Sequence, residues 1–92
     1  MREKSVENQI KDYLFEKGIY HFKVHGSSFM EPGISDIIAC YKGKFIGIEV
    51  KNETGKTSPL QDVNLKMINE AGGIGLVARC TEDVKKVIDN LI

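Results

Sequence analysis

Apolar residues recur along the chain with two different periods, and the switches between them mark the elements. Between Glu3 and Lys17 they fall at Val6, Ile10, Tyr13 and Leu14. That three-or-four spacing predicts a helix, which Gly18 ends. From Tyr20 to His25 the period drops to two, with Tyr20, Phe22 and Val24 on one face and His21, Lys23 and His25 on the other. This reads as a half-buried strand. Residues 26–33 (GSSFMEPG) read as a loop. Ile34 to Tyr41 is apolar and β-branched. Lys44 to Lys51 alternates Ile46, Ile48 and Val50 against Phe45, Gly47, Glu49 and Lys51, and Lys42-Gly43 supplies a two-residue hairpin turn between these strands.

A polar loop runs from Asn52 to Thr57. Ser58-Pro59-Leu60-Gln61 then carries an N-cap, a proline at the first helical position and a Gln at the third. The helix it starts is expected to reach about Ala71 and to turn Leu60, Val63, Met67, Ile68 and Ala71 inward before Gly72-Gly73 stops it. Ile74 to Arg79 reads as a strand. Thr81 is expected to cap a last helix with Val84, Val87, Ile88 and Leu91 inward. The order α-β-β-β-α-β-α places the chain in the α/β class, as a small mixed sheet flanked by helices.

Composition narrows this picture mainly by exclusion. Ninety-two residues make one domain with one modest core. Thirteen Lys and Arg balance thirteen Asp and Glu. That argues against a strongly basic nucleic-acid coat and an acidic tail alike. With no Trp, four Phe and three Tyr, stacking platforms for single strands are sparse. Cys40 and Cys80 lie in apolar surroundings with no neighbour at metal-ligand spacing, and read as reduced small hydrophobes. His21 and His25 share a strand face but lack a third ligand. The absence of a membrane-length apolar run or secretory leader predicts a soluble cytoplasmic protein.

The candidate chemistry comes from the hairpin register. With Lys42 and Gly43 as the turn, Tyr41 faces Lys44, Ile38 faces Gly47 and Asp36 faces Glu49. Directly opposed side chains sit ~4.5–5.5 Å apart at Cβ. Lys51, two residues beyond Glu49, shares that face. Opposed carboxylates repel, and a divalent cation removes the penalty. Mg²⁺ takes one or two protein carboxylates and keeps several waters. It polarises phosphorus and acidifies a bound water, while a lysine stabilises charge growing on the phosphate. Asp36, Glu49 and Lys51 are the groups that metal-dependent phosphodiester hydrolysis requires.

Gly33-Ile34-Ser35-Asp36 followed by Glu49-Val50-Lys51 resembles the PD-(D/E)xK nuclease signature, on a restriction-endonuclease-like core. With Gln61 on the following helix and Glu7 on the first, nearly the whole chain resembles the stand-alone virus-type replication-repair nuclease domain, VRR-NUC. The resemblance implies Asp36 and Glu49 as metal carboxylates and the backbone carbonyl of Val50 as a further ligand. It implies Lys51 as the catalytic lysine and Gln61 as support for the site or a contact to the scissile strand. It implies Glu7 as a ligand through water or a tuning group. The family's usual proline before the Asp is Ser35 here, a departure expected to matter little. Gly33 is kept for a close turn into the strand.

The cofactor implied is Mg²⁺ or Mn²⁺, with no organic cofactor. The expected activity is a structure-specific DNA endonuclease of a phage or bacterial cell, serving DNA repair. One small chain with one site suggests a homodimer, whose two-fold symmetry matches a four-way junction. Stand-alone members of the family resemble junction resolvases, and that resemblance together with the symmetry makes Holliday-junction resolution the leading expectation. Flaps, nicks or single strands are the alternative substrates, and a non-catalytic DNA- or protein-binding module is the alternative class. Candidate DNA contacts are Lys23, Ser27, Ser28, Lys42, Lys44 and Lys56, each equally readable as a turn or surface residue. Gln61 also completes a helix capping box, which needs no catalysis.

Overall fold

A computed structural model of the chain describes residues 1–25 and 32–91. Its elements follow the expected order. They are α1 (Glu3–Glu16), β1 (Tyr20–Lys23), β2 (Ile37–Tyr41), β3 (Lys44–Val50), α2 (Pro59–Glu70), β4 (Ile74–Ala78) and α3 (Thr81–Asp89). The four strands form one mixed sheet in the order β1-β2-β3-β4. The first two pairings are antiparallel; β3 and β4 are parallel, as a crossover through α2 requires. The β2–β3 register is the one read from the sequence, with Tyr41 opposite Lys44 and Ile38 opposite Gly47. Lys42 and Gly43 both take positive φ (51° and 80°), the backbone of a type I′ hairpin turn.

Helices α1 and α3 pack on one sheet face and α2 on the other. The α1/α3 face holds the core: Val6, Ile10 and Leu14 of α1 and Val84 and Ile88 of α3 close over Ile37, Ala39, Ile46, Ile48, Val50 and Ala78. Strand β3 is central and buried from Ile46 to Val50 on both faces, including Glu49. None of the described helices is long and apolar enough to cross a membrane.

Three expectations need correcting. First, Leu60, Val63 and Met67 are exposed. Helix α2 instead turns Gln61, Asn64, Leu65 and Ile68 toward the sheet, with Leu65 its buried residue. The cause lies in the sheet beneath. A Cβ on Gly75 would stand 2.7 Å from the Leu65 carbonyl oxygen, and one on Gly47 would stand 2.6 Å from Ile68 Cδ1. The two glycines let the helix sit close at Leu65 and Ile68. Gln61 and Asn64 then reach polar partners, rotating the apolar stripe sideways.

Second, β1 keeps Tyr20 and Phe22 outside and turns His21 and Lys23 inward. Lys23 is held there by carboxylates, whereas the buried apolar contact of this segment comes from Ile19. Third, Thr81 is the first residue of α3; Cys80 holds the N-cap position without a side-chain bond. Both cysteines are free, in keeping with the reduced state expected, and both are exposed.

Candidate active site

The site forms where the open end of the β2–β3 hairpin meets β1, α1 and the start of α2. Asp36 lies just before β2. Its backbone carbonyl accepts the Val24 N–H (2.8 Å), and its Oδ2 accepts the Val50 N–H (2.8 Å). The carboxylate is thus tied to the end of β3 beside Glu49. What is fixed at Val50 is this amide. The approach to Asp36 needs Gly33, which has φ +88°, and a Cβ there would stand 2.6 Å from the Leu60 carbonyl oxygen. Ser35, in the usual proline position, is buried, and its hydroxyl accepts a bond from Asn64 Nδ2 (3.1 Å). That tie between α2 and the loop was not foreseen; a serine in a loop carries no sequence signal for it.

Glu49 is the most perturbed acid. Burial is the main cause, and hydrogen bonding and charge repulsion from Asp36 add to it. Lys51 opposes them, and the net result pushes the Glu49 carboxyl up to about 8. Its Oε2 accepts a bond from Gln61 Nε2 (3.0 Å) and lies 3.9 Å from Lys51 Nζ. Its Oε1 is buried without a hydrogen-bond partner. With the carboxyl ionised, no donor among the described residues satisfies that oxygen.

Glu7, buried on α1, sits behind this pair. Lys23 donates to its Oε1 (2.8 Å) and Lys4 to its Oε2 (3.0 Å), and Lys11 stands 3.7 Å away. Burial alone would raise the Glu7 carboxyl. The hydrogen bonds from Lys23 and Lys4 outweigh it and hold the group below its ordinary range. The Lys23 ammonium also lies 3.7 Å from Asp36 Oδ1. Burial opposes its charge, but Glu7 and Asp36 raise its pKa overall. Lys23 is thus bound into the carboxylate cluster. The spacing Lys4-Glu7-Lys11, i−3 and i+4 on a helix, carried a signal for two of these ion pairs.

Gln61 performs both tasks the sequence left open. Its backbone N–H donates to Ser58 Oγ (3.2 Å), and its Oε1 accepts the Ser58 N–H (2.8 Å), completing a capping box. Its amide nitrogen remains free to hold Glu49. Beyond Lys51 the chain turns through Asn52, whose Oδ1 accepts the Gly55 N–H (2.7 Å). Arg79 straps this loop to the end of β4 by donating to the carbonyls of Asn52 (2.7 Å) and Gly55 (2.6 Å). No sequence pattern marks Arg79 for this role.

The structure does not bring all the candidate DNA contacts together. Lys42 and Lys44 lie at the hairpin turn, five residues along β2 from Asp36, roughly 16 Å away. Lys42 stands over the Tyr41 ring, and Lys44 donates to the Gly72 carbonyl. Lys56 is exposed in the loop after Lys51, at the site end of the sheet. Ser27 and Ser28 lie outside the described residues. His21 is occupied by the Ile19 carbonyl at 2.8 Å. Among the described residues no group of three or more His, Cys, Asp and Glu forms a metal-binding cluster. The close acids are the Asp36–Glu49 pair, and lysines compensate Glu7.

No protein-family model matches the sequence, and no curated protein matches it. Solved structures do. One, described as "VRR_NUC domain", superposes with a TM-score of 0.79 at 22% identity, over 98% of this chain and 97% of that one. Another, "VRR_NUC domain protein", gives 0.73 at 20% identity, over 100% of this chain and 88% of that one. The fold is therefore the VRR-NUC fold over nearly the full length of the chain.

Proposed function

We propose that the chain is a divalent-metal-dependent DNA endonuclease, and that the Asp36–Glu49 pair is its metal site. The observation that carries this reading is the unpartnered, buried Oε1 of Glu49 beside Asp36. A buried polar atom without a partner carries a desolvation penalty of about 1–3 kcal/mol, more when charged. A hard cation satisfies it, and a pair of carboxylates is the donor set Mg²⁺ or Mn²⁺ takes while keeping several waters. The Val50 carbonyl is the third ligand in this reading. When bound, such an ion polarises the scissile phosphate and acidifies a water.

The protein's own groups then have separable tasks. Gln61 fixes the Glu49 carboxylate through Oε2 and leaves Oε1 open. The Val50 amide fixes Asp36 in the same way. Lys51 brings a positive charge to the Oε2 side of Glu49, and in this reading it stabilises charge developing on a phosphate. Glu7 positions Lys23, and Lys23 offsets part of the negative charge behind Asp36. Glu7 thus acts through Lys23 in this scheme rather than as a ligand.

On substrate, we favour a homodimer acting on branched DNA, with the four-way junction first. One site per small chain and the two-fold symmetry of the junction support it. Cleavage of labelled duplex, flap, nicked and four-way DNA with Mg²⁺ or Mn²⁺ tests both levels. Wild type is expected to cut, and Asp36→Asn, Glu49→Gln and Lys51→Ala to lose at least 100-fold. Equal cutting by all three variants would remove the site assignment. A preference for flaps, nicks or single strands would replace the junction. No cleavage of any substrate would favour a binding module.

A further inference from the structure

The head group of Lys51 is held differently from the rest of the site. Its Nζ stands 3.9 Å from Glu49 Oε2, outside hydrogen-bond range, and among the described residues no hydrogen bond fixes it. A lysine stem is four carbons of free rotors, so such a contact alone lets the ammonium wander. Yet the side chain is only 14% exposed. The stem has a seat. A Cβ on Gly55 would stand 3.4 Å from Lys51 Cδ and 3.6 Å from its Cβ, so the methylenes lie against the Gly55 backbone. Where the ammonium stands therefore depends on where Gly55 stands.

Gly55 is not held by burial. Residues 52–57 (NETGKT) contain no apolar side chain to anchor the loop in the core. Asn52 Oδ1 closes it into a turn by accepting the N–H groups of Thr54 (3.2 Å) and Gly55 (2.7 Å). That fixes the shape of the turn but leaves it free to pivot as a unit about the end of β3. Arg79 removes this freedom. A single nitrogen, Nη1, donates to the carbonyls at both ends of the turn, Asn52 and Gly55. Arg79 is itself anchored. It follows Ala78, whose carbonyl accepts the Lys51 N–H (3.0 Å), and its own N–H is held by Asp83 Oδ2 of α3 (2.9 Å).

We propose that Arg79 is a positioning residue for Lys51: it holds the Gly55 turn against the lysine stem and so sets the place of the ammonium beside Glu49. What Lys51 does there rests on the nuclease reading above; the contact chain from Arg79 to Lys51 does not. Arg79 touches no reacting atom in this scheme and acts only through the turn. Loss of the strap should misplace a charge that matters in the transition state. A displacement of about 1 Å can cost as much as about 100-fold in rate. The loss should fall on kcat rather than KM, because binding of the DNA does not depend on that one ammonium.

Two measurements test this, one of them without cleavage. In the first, amine labelling of the metal-free protein is followed by mass spectrometry, with Lys66, exposed on α2, as internal control. Arg79→Ala should label Lys51 about fivefold faster or more than wild type, with Lys66 unchanged. Gly55→Val, which replaces the seat by a bulky side chain, should do the same. In the second, cleavage with Mg²⁺ compares wild type, Arg79→Ala, Lys51→Ala and the double variant. Arg79→Ala should lose about 10- to 100-fold in kcat with little change in KM, and should cost nothing further once Lys51 is gone. Lys51 labelling unchanged in both variants would overturn the proposal, as would losses that multiply in the double variant. So would a loss confined to KM with a weaker salt dependence of DNA binding, which would make Arg79 a phosphate contact. A wild type that cuts no DNA removes the nuclease reading alone, and the labelling rates still decide whether Arg79 places Lys51.

Discussion

Replacing Glu49 by Gln should stabilise the metal-free protein at neutral pH, the opposite of what most substitutions in a sheet interior do. Glu49 has its carboxyl pushed from 4.5 to about 8, first by burial and then by Asp36. Between those values the folded state binds more protons at this position than the unfolded state. Stability is therefore fully present below the unfolded value and is lost as pH rises toward 8. At pH 7 the group has crossed about 2.5 units of that window. At about 1.36 kcal/mol per unit, the penalty reaches about 3 kcal/mol as an upper bound. Gln is nearly isosteric, can still accept the Gln61 Nε2 bond, and can donate to Asp36. The assay is urea or thermal unfolding in EDTA at pH 5 and pH 7. The variant should gain 1–3 kcal/mol at pH 7, a rise on the order of 10 °C in Tm, and under about 1 kcal/mol at pH 5. Saturating Mg²⁺ should close the gap by stabilising only the wild type, by about 2.7 kcal/mol at one hundred times its Kd. A variant no more stable than wild type at pH 7, or an advantage equal at both pH values, would refute the reasoning.

Lys23→Met removes the nearest cation from buried Glu7 and should cost about 1–3 kcal/mol. Because the Glu7 carboxyl is held below its ordinary value, that cost should be full above pH 4.5 and fade as pH falls through the folded pKa, as acid-to-neutral unfolding curves would reveal. Gln61→Ala should lose about 1–2 kcal/mol by breaking the capping box, together with cleavage. Gln61→Glu retains the cap but sets a third carboxylate against Glu49. It should hold its stability at pH 5 better than at pH 8, and still lose cleavage. Gly75→Ala should destabilise more than Gly47→Ala in chemical denaturation, because its Cβ strikes the Leu65 backbone while the other strikes the Ile68 side-chain tip. Costs of about 1–3 kcal/mol bracket the pair.

The order of elements and the hairpin register were legible because each rests on local signals: two periods of apolar residues, a Lys-Gly turn, and Ser-Pro with a third-position Gln. The meeting of Asp36, Glu49 and Lys51 at one end of the hairpin follows from that register. The rotation of α2 was not legible. Its apolar periodicity names a stripe without saying which surface covers it. The inward positions, Gln61 and Asn64, are polar because their partners are Glu49 and Ser35. The glycines that admit the helix, Gly47 and Gly75, are distant in sequence and carry no pattern. Likewise, alternation in β1 marks two faces, but only the Glu7 and Asp36 carboxylates decide that Lys23 points inward.

The double engagement of Gln61 ties the site's assembly to a local folding event. The side chain that closes the first turn of α2 also holds Glu49. Fraying of that turn and release of the carboxylate are thus one motion, and whatever orders Glu49 slows the opening of the amides at residues 59–62. Amide exchange at this helix start becomes a readout of ligand at a carboxylate on a different element. Evolution meets the same coupling. A drift at position 61 to a side chain that cannot cap the helix also frees Glu49, so the cap cannot be lost there without the carboxylate's tether.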